Sequence, residues 1–412
     1  MLLSFILALS LTAGNGNPTK DTTAAGEMKI GIYVAPDLQH TTDECYTAIR
    51  EAHIDLIQDI SLWLPVKDKI NMLEMAGRHG IEMFVADERV NGSDTAAAAM
   101  VADYSRLKAT AGYYVQDEPV LKDLPGVARK YQRLLQLDST KVPHVNLLPI
   151  YATGALPGID YASEYVEKWI QLVGADRLRY LSFDNYPFMT DGTLREGPYY
   201  RNLDIIRRIG LKYHVRTSAY LQSIGTSTGL RRPGANDLRY NVYTNLAYGI
   251  KLPVWFTYWT PLGGSTEQFT NAVVDTSGKK TDLYEPFKAL NSAIKAIGRT
   301  LIQLDAKEVY HTGASVPEST VRIPAGFVVT PEGPENDLLI SLFVRPEDGK
   351  QYVMIVNRSL KDSVHPVFRV SQAIRAVKRI SAISGSEERC SYRKNRLTDT
   401  FLPGEGRLYA LY

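Results

Sequence analysis

The clearest chemical signal in the sequence is a pair of adjacent carboxylates, Asp117 and Glu118, near the end of the apolar segment GYYVQDEP. Neighbouring carboxylates push their pKa values apart, which suits a division of labour between a general acid and its partner. If the segment is a strand, alternation predicts that Tyr114, Gln116 and Glu118 share one face and that Asp117 lies on the other. The alternative is a helix cap, a role that Asp123 fits better because it lies nearer the next helical pattern.

A third carboxylate, Asp184, occurs in the segment SFDNYP. It is a candidate nucleophile, base or hydroxyl-binding residue, and the alternative is a turn residue before Tyr-Pro. Other side chains at the ends of apolar segments are candidate substrate ligands: Asp37, Asp87, Tyr114, Gln116, Tyr151, Tyr186, Tyr220, Gln222 and Trp259. Carboxylates combined with flat aromatic rings are what the hydrolysis of a sugar polymer requires. For Asp37 and Asp87 the alternative is helix capping.

Eight short apolar segments must position these side chains, and they alternate with amphipathic segments of 12–18 residues. The predicted strands lie within 29–36, 54–60, 81–87, 112–119, 142–151, 179–188, 214–225 and 252–259. The predicted helices include 66–79, 96–109, 123–136, 161–173, 199–212, 235–248 and 282–299. This pattern predicts an α/β fold, a closed (β/α)₈ TIM barrel over 28–302, whose active site lies at the C-terminal strand ends. An open doubly wound sheet is disfavoured because no G-x-G-x-x-G loop follows a strand.

The pattern changes after residue 302, where short strand-like segments such as LLISLFVRP and QYVMIVNRS are separated by turn clusters. No helical segment of comparable length occurs among them. We therefore predict a small C-terminal antiparallel β-sandwich over 303–412. Two roles are open for it: covering one flank of the barrel, or binding carbohydrate.

The N-terminus begins with an uncharged apolar run at 2–13. This run has the length of a signal-peptide core and is too short to cross a bilayer as a helix. We predict a signal peptide at 1–14 and a polar linker at 15–27, and hence export to the periplasm or the exterior. The alternative is a buried N-terminal helix. No cysteine follows the run to carry a lipid anchor, and no later segment predicts a transmembrane helix.

The composition narrows the range of partners. Lys and Arg number 47 against 45 Asp and Glu, so the net charge of +2 offers no footprint for nucleic acid. Two cysteines exclude a disulfide scaffold and a cysteine-rich zinc site, and the seven histidines are scattered. We therefore expect neither a metal nor a cofactor. The 25 tyrosines supply rings that suit sugar stacking, although most of them should be packing residues.

Three segments resemble glycoside hydrolases. The strand ending in DEP is similar to the general-acid strand of several barrel glycosidase families. The segment VVDTSGKKTDLYEPFKALNSAIKAIGRTL resembles the barrel end of family 42 β-galactosidases, where an Asp-x-x-Gly-x-x-Thr loop precedes a helix that carries Asn and ends in Gly. The matching residues are Asp275, Gly278, Thr281, Tyr284, Asn291 and Gly298. The tail LPGEGRLYALY is similar to the closing strand of β-sandwiches appended to many glycosidases.

The resemblance leaves the partner of Glu118 open. Family 42 enzymes carry a Glu nucleophile at the end of strand 7, where this chain has Gln222. Asp117 and Glu118 are also similar to the adjacent pair of family 20 hexosaminidases and family 123 N-acetylgalactosaminidases. In those families the substrate's 2-acetamido group attacks, Asp orients it and Glu protonates the leaving oxygen. A third arrangement pairs Glu118 with Asp184. A separation of about 5–5.5 Å between their carboxyl groups would then imply a retaining mechanism, and one of about 6.5–9.5 Å an inverting mechanism.

The sequence thus predicts an exported glycoside hydrolase that acts on a poly- or oligosaccharide. Its proposed general acid/base is Glu118, with Asp117 or Asp184 as partner. The alternative is a non-catalytic glycan-binding barrel, which the absence of a strand 7 Glu motivates. A barrel isomerase or lyase acting on phosphorylated sugars is disfavoured, because Arg231 and Arg232 are the only candidates for a phosphate site after strand 7.

Overall fold

A closed barrel of eight parallel strands forms the first part of the chain in a computed structural model, which describes residues 27–152, 155–264, 267–333 and 335–412. Each strand pairs with its sequence neighbours, and β8 pairs with β1 to close the ring. The strands are β1 Gly31–Tyr33, β2 Leu56–Gln58, β3 Glu82–Val85, β4 Thr110–Asp117, β5 Val142–Leu147, β6 Tyr180–Asp184, β7 Arg216–Gln222 and β8 Leu252–Phe256. Every predicted strand region overlaps one of them, which confirms the predicted barrel.

Eight α-helices surround the strands. They are α1 Asp43–Glu51, α2 Val66–Arg78, α3 Asp94–Tyr104, α4 Leu124–Leu137, α5 Glu167–Val173, α6 Glu196–Tyr213, α7 Ala235–Ala247 and α8 Tyr284–Leu301. The first helix, α1, is not among the predicted segments. It has only nine residues and buries two of them, Tyr46 and Ile49, so its apolar periodicity is short.

Two separate apolar layers stabilise the barrel. The side chains that fill its interior are Leu56, Phe84, Tyr220, Leu252 and Val254. A much larger cluster lies between the strands and the surrounding helices. Strand β4 approaches β5 closely at Gly112, where an added Cβ would lie 1.9 Å from the Val142 carbonyl oxygen. Only glycine fits at this position, directly before the part of β4 that carries the carboxylates.

The segment that resembles family 42 enzymes connects β8 to α8. Asp275 stabilises its turn by accepting hydrogen bonds from the backbone N–H groups of Ser277 and Lys279, at 2.9 and 3.0 Å. Asn291 of α8 is fully buried and accepts from the indole N–H of Trp255 at 3.0 Å. These contacts hold the last helix against the last barrel strand and the loop after it.

The C-terminal part forms two antiparallel sheets, as predicted. Its strands are β9 Asp305–His311, β10 Val329–Pro331, β11 Leu338–Val344, β12 Gln351–Asn357, β13 Val367–Val370, β14 Val377–Ile380, β15 Glu387–Arg389, β16 Ser391–Arg393, β17 Arg396–Thr398 and β18 Gly406–Leu411. One sheet has six strands in the order β15-β14-β18-β12-β11-β9. The other has four in the order β10-β13-β17-β16.

The six-stranded sheet lies between the barrel and the four-stranded sheet. In β11, Leu339 and Phe343 belong to the cluster shared with the barrel helices, whereas Leu338 and Ile340 pack in the core between the two sheets. Because both faces of β11 and β12 are buried, these strands are continuous apolar runs without polar alternation. The sandwich therefore covers one flank of the barrel as a packed layer.

The predicted signal peptide and nearly all of the predicted linker, residues 1–26, lie outside the described residues. Within the described part of the chain, no helix is long and apolar enough to cross a membrane.

The barrel and the sandwich should unfold as a cooperative pair, and Phe343 tests this. Its fully buried ring lies on the barrel-facing side of β11. We expect Phe343→Ala to lower the free energy of unfolding by about 3–5 kcal/mol in denaturant titrations, because it leaves a cavity in the shared core. Ile383→Ala, at a side chain that is 95% exposed, should change it by less than about 0.5 kcal/mol. Loss of sandwich signals alone, with barrel signals unchanged, would contradict a shared core.

Candidate active site

A β-bulge in β4 decides which of its side chains enter the barrel mouth. Tyr114 pairs with His144, but Gln116 pairs with Val145 and Asp117 with Asn146, so the register shifts at Val115. His144 and Asn146 face the barrel interior, where they bond Tyr220 and Asp184, whereas Val145 lies in the outer core. Gln116 therefore faces the helix layer and Asp117 faces the mouth. The expectation from simple alternation was wrong for both residues, because a bulge reverses the side-chain order.

Glu118 enters the mouth as well, although it directly follows Asp117. Its φ is +44°, in the left-handed region that non-glycine residues seldom adopt. Its N–H still donates to the Asn146 carbonyl oxygen at 2.8 Å, so the chain remains attached to β5 while it turns. Two consecutive carboxylates thus point to the same space, and the backbone strain required to place them is typical of functional sites.

Asp117, Glu118 and Asp184 form one cluster at the mouth. The Asn146 amide nitrogen donates to Asp117 Oδ1 at 3.1 Å and to Asp184 Oδ1 at 3.0 Å. Asp117 Oδ2 also accepts from the Tyr33 hydroxyl at 2.9 Å. Asp184 lies close enough to Glu118 for each carboxyl group to shift the pKa of the other. The structure therefore brings the three predicted catalytic carboxylates together from β4 and β6.

The carboxylates differ in their access to solvent. Asp184 is 5% exposed and Asp117 is half-buried, whereas Glu118 is exposed at the mouth. Desolvation raises the pKa of Asp184 well above its usual value, and the charges of Glu118 and Asp117 raise it further. Desolvation by the enclosing protein, followed by the charge of Asp117, also raises the pKa of Glu118. Because the pKa values of all three carboxyl groups are raised, the cluster favours retaining protons.

Half-buried aromatic rings surround the carboxylates. The Phe256 ring lies 5.5 Å from that of Tyr33 and stacks on Tyr186 at 5.1 Å. Tyr151 accepts a hydrogen bond from the Tyr186 N–H at 3.4 Å, and the Arg195 guanidinium lies 4.1 Å from the centre of its ring. Together with Tyr114, these rings provide flat apolar faces beside hydroxyl groups, which suits a sugar ring.

Two predicted substrate ligands lie away from this surface. Tyr220 is inside the barrel, where its hydroxyl bonds His144 at 3.0 Å and Gln58 at 3.3 Å. Gln222 is fully buried, and its amide bonds backbone groups of Phe188 and Arg231 in the loops after β6 and β7. Its polar atoms are used in holding these loops together. The strand 7 position that resembles the family 42 nucleophile is therefore occupied by a structural amide.

Three further candidates have packing or capping contacts instead. Trp259 is 5% exposed, and its ring packs at a tilt against that of His40, with the ring centres 4.9 Å apart. Asp37 caps the turn after β1 by accepting from the His40 N–H at 2.9 Å. Asp87 is buried and accepts from Arg89 and from the Tyr104 hydroxyl, both at 2.8 Å. For the two aspartates the capping alternative is the one that the structure contains.

The arginines considered for phosphate binding also have partners. Arg231 forms a two-bond ion pair with Asp237, both bonds 2.7 Å long. Arg232 pairs with Asp282 at 2.6 Å. In the described ranges, no group of three or more His, Cys, Asp or Glu side chains is arranged to hold a metal ion.

Sequence reasoning missed four residues of the site: Tyr33, Asn146, Arg195 and Phe256. Asn146 had a detectable signal, because it is a polar residue inside the apolar segment VNLL of a predicted buried strand. Tyr33 and Phe256 end their strands, but they have no neighbouring polar motif that marks them. Arg195 lies in a loop, where only the tertiary structure brings it to Tyr151.

Comparisons with known proteins identify the fold but give no sequence relative. No family model and no curated protein matches the sequence. Among solved structures, a β-galactosidase from Bacillus circulans sp. alkalophilus superposes with a TM-score of 0.61 at 9% identity, covering 94% of this chain and 99% of that one. A catalytic mutant of a GH42 β-galactosidase from G. stearothermophilus gives 0.60 at 9% identity, covering 94% and 98%.

A third structure comes from another glycosidase family. A family 39 glycoside hydrolase from the gut symbiont Bacteroides cellulosilyticus WH2 superposes with a TM-score of 0.54 at 11% identity, covering 94% of this chain and 81% of that one. The chain therefore has the TIM-barrel fold of glycoside hydrolases, including the C-terminal sheets. The resemblance noted in the sequence is confirmed at the level of fold.

The role of Asn146 predicts a pH-dependent loss of stability. Its hydrogen bonds lower the pKa of Asp117 and Asp184, so Asn146→Ala should raise both values further. A carboxyl group whose folded pKa is raised destabilises the fold once it ionises, so the loss should grow as pH rises. We expect Asn146→Ala to lower the free energy of unfolding by about 1–3 kcal/mol at pH 7.5 and by less at pH 4.5, as measured by denaturant unfolding. Asn241→Ala removes a buried amide without a carboxylate partner, and its loss should be equal at both pH values. Equal losses of stability for Asn146→Ala at the two pH values would refute the role assigned to its hydrogen bonds with Asp117 and Asp184.

Proposed function

We propose that this protein hydrolyses O-glycosidic bonds of a poly- or oligosaccharide, with Glu118 as its general acid/base. The observation that carries the proposal is the cluster of Asp117, Glu118 and Asp184 at the barrel mouth, in which Glu118 alone is exposed. A raised pKa keeps a carboxyl group protonated closer to neutral pH, as protonation of a leaving oxygen requires. The half-buried rings of Tyr33, Tyr186 and Phe256 support a sugar ligand beside it. The proposal includes export, on the basis of the apolar run at 2–13.

In the first step, Glu118 gives its proton to the glycosidic oxygen, the bond between that oxygen and the anomeric carbon breaks, and a nucleophile forms a bond to that carbon. Asp184 has a raised pKa, so it stays protonated and limits the negative charge in the mouth. In the second step, a water oxygen bonds the anomeric carbon, the nucleophile leaves it, and the ionised Glu118 accepts a proton from that water, which restores the acid.

The state of Asp184 constrains the source of the nucleophile. A second carboxylate that attacks the anomeric carbon or activates water must be ionised, whereas desolvation and the neighbouring charges raise the pKa of Asp184 well above its usual value. The strand 7 end supplies an amide, Gln222. We therefore propose that the substrate's own 2-acetamido oxygen attacks the anomeric carbon. Asp117 would then stabilise the positive charge that develops on the acetamido nitrogen.

A second function has a specific observation in its favour. Because Gln222 occupies the place of the family 42 nucleophile and is fully buried, a barrel that binds glycans without cleaving them would contain the same surface. This alternative predicts binding to the aromatic mouth with no reducing-end release from any glycan.

Glu118→Gln separates the two functions. We expect it to reduce reducing-end release from the responsive glycan by at least about 100-fold, because the amide cannot supply the proton. The melting temperature should be unchanged or higher, since a raised-pKa carboxylate is replaced by a neutral group. The assay is reducing-end release from a panel that pairs 2-acetamido with 2-hydroxy glycans of equal linkage.

The matched control is Glu285→Gln, at an exposed residue in the first turn of α8, which should retain activity within about twofold. Activity confined to 2-acetamido glycans would support the substrate-assisted step. Full activity of Glu118→Gln would rule out the assigned acid, and release from 2-hydroxy glycans alone would rule out the assistance. Binding without any turnover would favour the second function.

The charge of Asp117 predicts a shift in the pH profile. Ionised Asp117 raises the pKa of Glu118, and the acid must be protonated, so kcat/KM should fall as pH rises through that pKa. Asp117→Asn removes the charge, lowers the pKa of Glu118 and should move this alkaline limb to lower pH. Glu285→Gln should not change the pH at which kcat/KM falls. The measurement is a full pH–rate profile of each variant. An alkaline limb that does not move in Asp117→Asn would show that another group controls it.

A further inference from the structure

A row of arginines crosses the outer face of the four-stranded sheet. The register pairs Thr330 with Arg369, Arg369 with Arg396, and Arg396 with Arg393, so these residues lie side by side on β10, β13, β17 and β16. All three arginines are exposed. Because neighbouring strands are about 4.8 Å apart, the row places three positive charges along about 10 Å.

This row carries an energetic cost that the sheet itself does not offset. Like charges directly opposite each other on neighbouring strands are destabilising. Glu332 pairs with Arg396 at 2.9 Å. Within the described ranges, Arg369, Arg393 and the adjacent Lys394 form no ion pair. The sheet therefore presents a largely uncompensated cationic surface.

A groove of about 510 Å³ lies beside the row. Its charged side chains are the cations Arg369, Lys394 and Arg396 and the carboxylate Glu332, which pairs with Arg396. Hydroxyl and amide groups alternate with them, and the ring of Phe327 lies in the same lining: the polar residues are Thr330, Ser371, Gln372 and Asn395. Cations, hydrogen-bonding groups and an aromatic ring in one groove match a ligand that has acidic groups, hydroxyls and apolar ring faces.

The charge is segregated along the chain. Residues 361–412 contain ten Lys and Arg against five Asp and Glu, whereas the whole chain has a net charge of +2. The remainder of the chain is therefore slightly acidic. The six-stranded sheet separates the four-stranded sheet from the barrel helices, so the cationic groove is a surface apart from the barrel mouth.

We propose that this groove binds an anionic polysaccharide through its carboxylate or sulfate groups. Guanidinium groups recognise both anions through paired hydrogen bonds, and the half-buried Phe327 adds apolar surface to the groove lining. The choice of a glycan over another polyanion rests on the proposed function of the barrel. Binding here would raise the local concentration of polymer near the mouth.

Binding by the full chain carrying Glu118→Gln tests the proposal without turnover. The probes are dextran sulfate, polygalacturonate and neutral dextran of similar length, measured by calorimetry at 0.15 M salt. We expect one or both acidic polymers to bind and neutral dextran not to bind. The acidic polymer that binds more tightly identifies whether the groove prefers sulfate or carboxylate. Adding Arg369→Gln and Lys394→Gln should weaken that binding about tenfold, because two charge-assisted contacts are lost.

The matched control adds Arg389→Gln and Lys361→Gln, which remove two exposed charges of the same sandwich outside the groove. It should weaken binding by no more than about twofold. If both pairs of substitutions weakened binding equally, the groove would not be a defined site. If duplex DNA or anionic lipid vesicles bound as tightly as the acidic polymers or more tightly, the choice of a glycan would be overturned. Arg369→Gln alone should raise the melting temperature without polymer, because it relieves like-charge repulsion, and this excludes misfolding as the cause of lost binding.

The two proposals fail separately. Glycan cleavage by the wild type without polymer binding at the groove would overturn only the groove. Groove binding without cleavage of any glycan would overturn only the hydrolase.

Discussion

The Asn146 amide holds the candidate site together, because its nitrogen donates to Asp117 and to Asp184, carboxylates from two different strands. Its own oxygen accepts from the Ser182 hydroxyl at 3.2 Å, which orients the amide. Without these donors, the carboxylates of Asp117 and Asp184 would repel each other at an effective dielectric far below that of water. One buried amide thus makes it feasible to keep three acidic groups in one mouth.

The backbone of β4 also helps to bring the acidic groups together in the barrel mouth. Its bulge turns Asp117 inward, and the left-handed Glu118 that follows turns inward as well. A regular strand would have sent one of these carboxylates into the helix layer, where no donor is available to an acidic group in the apolar core. Gly112 lets β4 lie close enough to β5 for the Glu118 N–H to donate to the Asn146 carbonyl oxygen and for the Asn146 amide to donate to Asp117. Local irregularity and close strand pairing therefore act together.

The sandwich extends the packed core and also provides a surface of its own. Its strands β11 and β12 are buried on both faces, so Phe343 packs toward the barrel while Ile340 packs toward the second sheet. The barrel and the inner sheet consequently form one apolar body. The four-stranded sheet packs one face against the six-stranded sheet. Its other face is exposed to solvent and carries Arg369, Arg393 and Arg396. Burial thus decides where the cationic residues of the C-terminal stretch can lie.

By itself the sequence determined the barrel, the sandwich and the three carboxylates, because hydrophobic periodicity and strand-end chemistry are local properties of the chain. It did not determine the direction of Asp117 and Gln116, since a bulge depends on how β4 pairs with β5. It also did not distinguish Gln222, which anchors loops, from a substrate ligand, because the partners of a polar group come from distant segments. Only the tertiary structure brought Tyr33, Asn146 and Phe256 to Glu118. Strand ends that are far apart in sequence become neighbours when the barrel closes, and no local pattern encodes that contact.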